Sequence, residues 1–557
     1  MRDENRKWID NAVIYQVYPT SFYDANGDGT GDFQGIKKKL YYIKNLGADA
    51  IWINPFFNSP FKDGGYDIED YRAVDGRFGT MEDFDDLIQE CKKLGIKVLI
   101  DLVIGHTSDR HEWFKKSALK DRNEYSDYYI WTDSIFNKYQ DKTIHGLYDR
   151  NGGYYINYYA CQPALNFGFN ETGKTEINVE NDYDMGDGWK MRYDDERLKP
   201  LRNEITEIML FWLRKGVDGF RVDMANSLVK GCVYDSDKEE DIKGLKWLWN
   251  ELFCAVKKEF PRAVFLAEWC SPENAVKKCG FDFDYLGHDN AVYNDLFRNE
   301  KGNNLLPSFE RGYNYFSKRG KGSVRAFIDY AVKLHESLGN AGGFSAPSGC
   351  HDSVRLAEGT DTDELKVAFA FLFTFKHIPM LYYGDEIGLA HDFSVSKDGG
   401  YIRTGARTPM QWNDGKNRGF STAEELYLPV NGVAEQCVEV QEKDENSLLN
   451  TVKKLIGLRK RYSCLDYASR LKVIECDDGY PLIYERENEE CAVRVYISPS
   501  SEKIKRKCDG KPLYAVNAEI TDGEILLNGS AFAIVLTENR KASKSFTRGE
   551  TFSVIKY

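Results

Sequence analysis

Short apolar runs recur along the chain at wide intervals, and several of the segments between them return their apolar residues at helical spacing. Eight runs stand out: VIYQVYP, ADAIWINPF, KVLIDLV, GFRVDMA, VFLAEW, FDFDYL, GGFSAPS and IPMLYYGDE. Strand-like runs alternating with helix-like segments signal a parallel sheet with crossover helices. Two of the intervening stretches, MEDFDDLIQECKKLG and LRNEITEIMLFWLRKG, are amphipathic and end in Gly, a helix stop. Eight β/α repeats predict an α/β protein built as a closed (β/α)8 TIM barrel. An open doubly wound sheet usually has fewer strands.

Two departures from the repeat outline further domains. More than 100 residues, rich in Tyr, Asn, Asp and Gly, separate the third and fourth runs. That is too long for one crossover, so an inserted subdomain is expected over 107–178. After the helix-like NSLLNTVKKLIGLRKRY the pattern changes to short alternating runs, PLIYERE, CAVRVYIS and EILLNGSAFAIVL. These predict a C-terminal antiparallel β domain over 466–557. The barrel then comprises 1–106 and 179–465. With no long linker or low-complexity tract, the domains are expected to pack as one body.

Composition narrows the partners. A length of 557 residues suits two or three domains. A net charge of −13 disfavours nucleic acid and anionic membranes, both of which select basic patches. The N-terminal MRDENRKWID has no apolar core of a signal sequence, and no stretch approaches a membrane span, so a cytoplasmic protein is expected. The twelve cysteines, Cys91 to Cys508, lack paired CxxC spacing, which argues against a zinc site or disulfide framework.

In such a barrel chemistry collects at the C-terminal ends of the strands. There the sequence places Asp101 on the third run with His106 beyond it, Arg221 and Asp223 on the fourth, Glu268 on the fifth, and His351 and Asp352 after the seventh. Arg221 and Asp223 are two apart on a strand and share a face, so the guanidinium should hold the carboxylate ionised, as a nucleophile requires. The opening DANGDGTGD sets Asp24, Asn26 and Asp28 at calcium-loop spacing, but position twelve of an EF-hand would be Gly35. What remains is an oxygen-rich loop able to wrap one hard cation, or an ordinary Asp/Asn/Gly turn.

The ordered set AVIYQVYPTSF, GYDIEDY, DLVIGH, QPALN, GFRVDMA, AEW, HDSVR, YYGDEIG and ARTPMQW, spread over nearly the whole chain, resembles the α-amylase family of glycoside hydrolases. The resemblance is strongest to its oligo-1,6-glucosidase and α-glucosidase branch. It implies Asp223 as nucleophile, Glu268 as general acid/base and Asp352 as the carboxylate gripping the distorted sugar. It also implies Tyr66 as a stacking platform, His106 and His351 as hydroxyl ligands, Arg221 beside the substrate, and Asp63 with Arg403 as a charged pair closing the pocket behind one glucose. The opening loop matches the family's metal loop, with Asp24, Asn26, Asp28, the Thr30 carbonyl and Asp32 around Ca2+, or Mg2+.

A retaining glycosidase needs two carboxyl groups about 5 Å apart, and Glu268, beside Trp269 in an apolar strand, should be poorly solvated with a raised pKa. The expected activity is therefore a retaining, exo-acting α-glucosidase working on short oligosaccharides as a monomer. Two alternatives stay open: a trehalose-synthase-like or isomaltulose-synthase-like transferase or isomerase, and a non-catalytic transporter-ancillary relative. The family pattern has Asn at the positions of Gly105 and Cys350 and commonly Asp at Ala164. Met224, after the nucleophile, lies where relatives sort linkage.

Overall fold

The computed structural model describes residues 7–539 except 135–139, 173–188, 234–235, 237, 288–289, 302–309, 321–322, 434–435 and 522. The expected border between insertion and barrel at 178/179, and the chain ends 1–6 and 540–557, lie outside the described residues.

All eight apolar runs form strands: β1 (Ile14–Val17), β2 (Ala50–Ile53), β3 (Lys97–Leu102), β4 (Gly219–Val222), β5 (Val264–Ala267), β6 (Phe283–Tyr285), β7 (Gly343–Ser345) and β8 (Met380–Tyr382). They pair in parallel in the order β7-β6-β5-β4-β3-β2-β1-β8. Ile378 N–H donates to Phe344 O at 3.0 Å and Ser348 N–H to Met380 O at 2.9 Å, bridging the remaining seam between β8 and β7. Almost every strand residue is buried, which is why the runs read as continuous apolar stretches rather than alternating ones.

The crossover helices start and stop on local signals. In α1 (Phe33–Leu46) the Asp32 side chain caps Gly35 N–H and Gly47 ends the helix at φ 104°. In α2 (Met81–Leu94) Thr80 and Asp83 form a reciprocal capping box, and Gly95 at φ 67° terminates it. Gly216, at φ 105°, ends α3 (Lys199–Lys215). These left-handed stops are open to glycine at no steric cost.

Six C-terminal strands form an antiparallel sheet: β9 (Arg470–Glu475), β10 (Leu482–Glu487), β11 (Cys491–Ser498), β12 (Lys503–Lys507), β13 (Lys511–Thr521) and β14 (Glu524–Asn539). Their order is β9-β10-β11-β14-β12, with β13 also on β14. The sheet packs on α4 (Thr362–Thr374), a helix buried from Glu364 to its end, as an apolar run with no polar face must be. Arg486 Nη1 donates to Thr374 O at 2.9 Å across this boundary.

Candidate active site

The strand ends deliver their polar groups to one buried cluster. Asp101 and Arg221 are register partners on β3 and β4, which brings the side chains together. The Arg221 guanidinium, with no exposed surface, serves three carboxylates. Its Nη1 donates to Asp101 Oδ1 at 2.6 Å and Asp223 Oδ1 at 2.8 Å, while Nη2 lies 2.7 Å from Glu268 Oε1. Nη2 also donates to the Tyr285 hydroxyl at 2.9 Å, which in turn donates to Glu268 Oε1 at 3.0 Å. Trp52 Nε1–H holds Asp101 Oδ2 at 2.8 Å.

Two buried acids and a partly exposed third around one cation are costly to keep ionised together. Burial and then the Glu268 charge push the Asp223 carboxyl well up, against Arg221. Burial likewise raises Asp101, again opposed by Arg221. Arg221 therefore pulls Asp223 toward the ionised form, as expected from the sequence, while burial and the Glu268 charge pull the other way. Glu268 is not in the dry setting expected from Trp269. Its side chain is 26% exposed, and its Oε2 accepts Met224 N–H at 2.8 Å. Met224 itself sits at φ 42°, a strained conformation for a side-chain-bearing residue.

Beside this cluster lie the residues expected to line the glucose pocket. Tyr66 is stacked flat on His351, ring centroids 5.2 Å apart and planes 2° from parallel. His351 Nδ1 lies 3.0 Å from Gln16 Nε2 and 3.1 Å from Asn54 Nδ2. Both are amide donors, so Nδ1 accepts and Nε2 carries the hydrogen, 3.0 Å from Asp352 Oδ2. Despite its burial, Asp352 is held well below the usual carboxylate range by His351, Arg403 and Arg407. Arg403 Nη1 and Arg407 Nη2 each reach Asp352 Oδ1 at 2.8 Å. Arg403 Nη2 meets Asp63 Oδ1 only at 3.4 Å, so Arg403 bridges Asp63 and Asp352 rather than pairing with Asp63 alone. Gln162 Nε2 completes Asp63 at 2.8 Å.

His106 differs from expectation. It is buried, with Nε2 2.9 Å from Tyr66 O and Nδ1 3.2 Å from Asn157 Nδ2. Both ring nitrogens already have protein partners, so a sugar hydroxyl would have to displace one of them. Burial lowers its pKa to about 4, which keeps the ring neutral.

In the opening loop the expected cation donors accept the loop's own N–H groups. Asp24 takes Asn26, Gly27 and Gly29 N–H at 3.1, 2.6 and 2.8 Å. Asn26 Oδ1 takes Asp28 N–H at 2.9 Å, Asp28 Oδ1 takes Thr30 N–H at 2.8 Å, and Asp32 takes Ala25, Asn26 and Gly35 N–H. Among the described residues no three His, Cys, Asp or Glu side chains converge as a metal cage. The donor chemistry, all hard oxygen, still suits a cation such as Ca2+. Burial raises the Asp32 carboxyl, backbone hydrogen bonds oppose this, and Asp24 adds a repulsion that a cation would relieve.

The family profile described as "Alpha amylase, catalytic domain" matches residues 16–468. The chain belongs to the alpha-amylase family. It is a glycoside hydrolase by that membership and by its curated relatives. Oligo-1,6-glucosidase of Parageobacillus thermoglucosidasius is 32% identical, aligned over 86% of this chain and 88% of the relative. Trehalose synthase/amylase TreS of Mycolicibacterium smegmatis is 29% identical over 82% and 76%. Among solved structures, trehalulose synthase MutB of Pseudomonas mesoacidophila MX-45 superposes with a TM-score of 0.76 at 26% identity, covering 95% of this chain and 99% of that one. Among the described residues no helix is long and apolar enough to cross a membrane.

Several residues of this alpha-amylase-family site carried no individual expectation, among them Trp52, Gln16 and Asn54 within strand-end motifs and four others. Arg407 lies inside ARTPMQW, Tyr285 ends the FDFDYL strand, and Gln162 opens QPALN, so each had a motif or strand end that pointed to it. Asn157 had no such signal.

Proposed function

We propose that this alpha-amylase-family enzyme is a retaining, exo-acting α-glucosidase that removes terminal glucose from short oligosaccharides. The observation that carries the reading is the sharing of one buried guanidinium by Asp223 and Glu268, at 2.8 and 2.7 Å. Both side chains converge on the two terminal nitrogens of one guanidinium, and we read them as the nucleophile and acid/base pair of a retaining site, which works with its carboxyl groups about 5 Å apart.

Asp223 Oδ1 is engaged by Arg221, which leaves Oδ2 to attack the anomeric carbon. Glu268 Oε1 takes Arg221 and Tyr285 while Oε2, among the described residues, accepts only Met224 N–H, so Oε2 is the oxygen that carries the proton to the leaving oxygen. Breaking the glycosidic bond gives a glucosyl ester on Asp223 and a free aglycone. Glu268, now a carboxylate, takes a proton from water, which attacks the same anomeric carbon and returns Asp223. Asp352, kept ionised by His351, Arg403 and Arg407, accepts hydrogen bonds from the sugar's hydroxyls, and Tyr66 faces its apolar side. Arg403, bridging Asp63 and Asp352, closes the pocket behind a single glucose. For the opening loop we propose a structural Ca2+, with Mg2+ as the alternative, on Asp24, Asn26, Asp28, the Thr30 carbonyl and Asp32.

The names of the trehalose and trehalulose synthase relatives support a second reading, in which the same intermediate passes glucose to a sugar. A time course on maltoheptaose, maltose, isomaltose and sucrose separates the cases. Stepwise glucose release supports the proposed activity. Early maltose and maltotriose from internal cuts would indicate an open cleft, and isomers at constant total sugar would indicate transfer.

A further inference from the structure

Asn157 belongs to the segment between β3 and β4, yet it is buried between the ends of those two strands. Its Nδ2 lies 3.2 Å from His106 Nδ1, 3.3 Å from Ser227 Oγ and 3.8 Å from Met224 Sδ. Its Oδ1 accepts from Lys230 Nζ at 3.3 Å, and Lys230 also donates to Ser227 O. His106 Nε2 faces the Tyr66 carbonyl at 2.9 Å, which can only accept. The hydrogen therefore sits on Nε2, Nδ1 must accept, and the Asn157 amide is its donor.

Gly105 makes this possible. A Cβ there would stand 2.7 Å from Asn157 Nδ2 and 3.4 Å from Ser227 Oγ. A side chain at position 105 would enter the space that the Asn157 amide fills from the inserted segment. Lys230 anchors it, buried and without a carboxylate partner among the described residues.

We propose that Asn157 is a positioning residue of the active site. It fixes the Nε2–H form of His106, and through it the Tyr66 platform, and it braces the Met224–Ser227 turn that follows Asp223. Asn157 touches no reacting atom. The proposal rests on the reading of Asp223 as nucleophile.

The test measures kcat and KM on an aryl α-glucoside from pH 5 to 8, with melting temperatures, for Asn157→Gly, Asn157→Asp and the double variant Gly105→Asn/Asn157→Gly. Asp223→Asn runs in parallel. Displacing the turn should lower kcat of Asn157→Gly about 10²-fold, with KM changed less than about threefold. The double variant, which returns an amide to the same space, should recover at least about tenfold of that loss. Asn157→Asp keeps the shape but cannot donate to Nδ1. The charged groups then facing His106 are the new carboxylate and Lys230, and the carboxylate favours imidazolium, which can donate from both nitrogens. Its deficit should therefore be smaller at pH 5 than at pH 8.

A kcat for Asn157→Gly within twofold of the parent would overturn the proposal. So would a deficit that follows melting temperature alone, with no rescue by the double variant and no pH dependence in Asn157→Asp. If Asn157→Gly does not fold, the isosteric Asn157→Asp decides by its pH profile. Substantial activity in Asp223→Asn would overturn the nucleophile reading instead, a distinct outcome.

Discussion

Removing the Arg403 side chain tests the closed pocket. Arg403 is buried and bridges Asp352 at 2.8 Å and Asp63 at 3.4 Å, with the Tyr159 hydroxyl 3.2 Å away. Truncating one partner of a buried charge pair costs roughly 2–5 kcal/mol, much of it from the charge left behind. Here both acids keep other partners. Asp352 retains Arg407 at 2.8 Å and His351 at 3.0 Å, and Asp63 retains Gln162 at 2.8 Å. The loss in Arg403→Ala therefore belongs at the low end, about 2–3 kcal/mol, or about 30- to 150-fold in kcat/KM at 1.4 kcal/mol per tenfold. The assay compares kcat/KM on maltose and maltoheptaose for the parent and the variant. The maltose value should fall by that factor, and the preference for the shorter substrate should shrink as the end wall opens. A maltose kcat/KM within threefold of the parent, with an unchanged length preference, would refute the reasoning.

Other outcomes follow from single residues. Burial lifts Glu386 to about 7, against hydrogen bonds from Tyr15 and Tyr42, so its proton survives folding at a pH where an unfolded glutamate, near 4.3, has lost it. Stability from that proton is full below the unfolded pKa and is lost as pH rises through 7, up to about 3 kcal/mol. Glu386→Gln should flatten this decline, and melting temperatures at pH 5 and pH 8 that change equally in parent and variant would contradict it. Chelation should lower the melting temperature more than the initial rate, and unchanged stability would mean that the 24–32 loop is only a turn. Asp223→Asn and Glu268→Gln should each lower turnover at least about 10³-fold with folding intact, as read by steady-state rates beside melting curves.

The barrel was legible because its strands are buried on both faces, leaving apolar runs such as AIWI at 50–53 and VFLA at 264–267. The helix ends at Gly47, Gly95 and Gly216 were equally local. The carboxylates were legible because the fold puts strand ends at one mouth, so position along the chain implies position in space. What stayed hidden depends on approach between distant segments. The 143–145 and 153–155 strands are too short for a period. Asn157 reaches His106 across 51 positions, and the two nitrogens of His106 could be assigned only once Tyr66 and Asn157 were beside it. The solvation of Glu268 was misread from Trp269, its neighbour in sequence, because Arg221, Tyr285 and Met224 N–H surround its carboxylate instead.

The central claim is that a glucosyl ester forms on Asp223. The direct measurement is to inactivate the enzyme with a 5-fluoro-α-glucosyl fluoride, whose ring fluorine slows breakdown of the intermediate, and to map the adduct by peptide mass spectrometry. The account predicts one added fluoroglucosyl unit on the peptide containing Asp223, removed on incubation with an acceptor sugar. An adduct on another carboxylate, or none together with release of the inverted β-anomer from maltose, would contradict it.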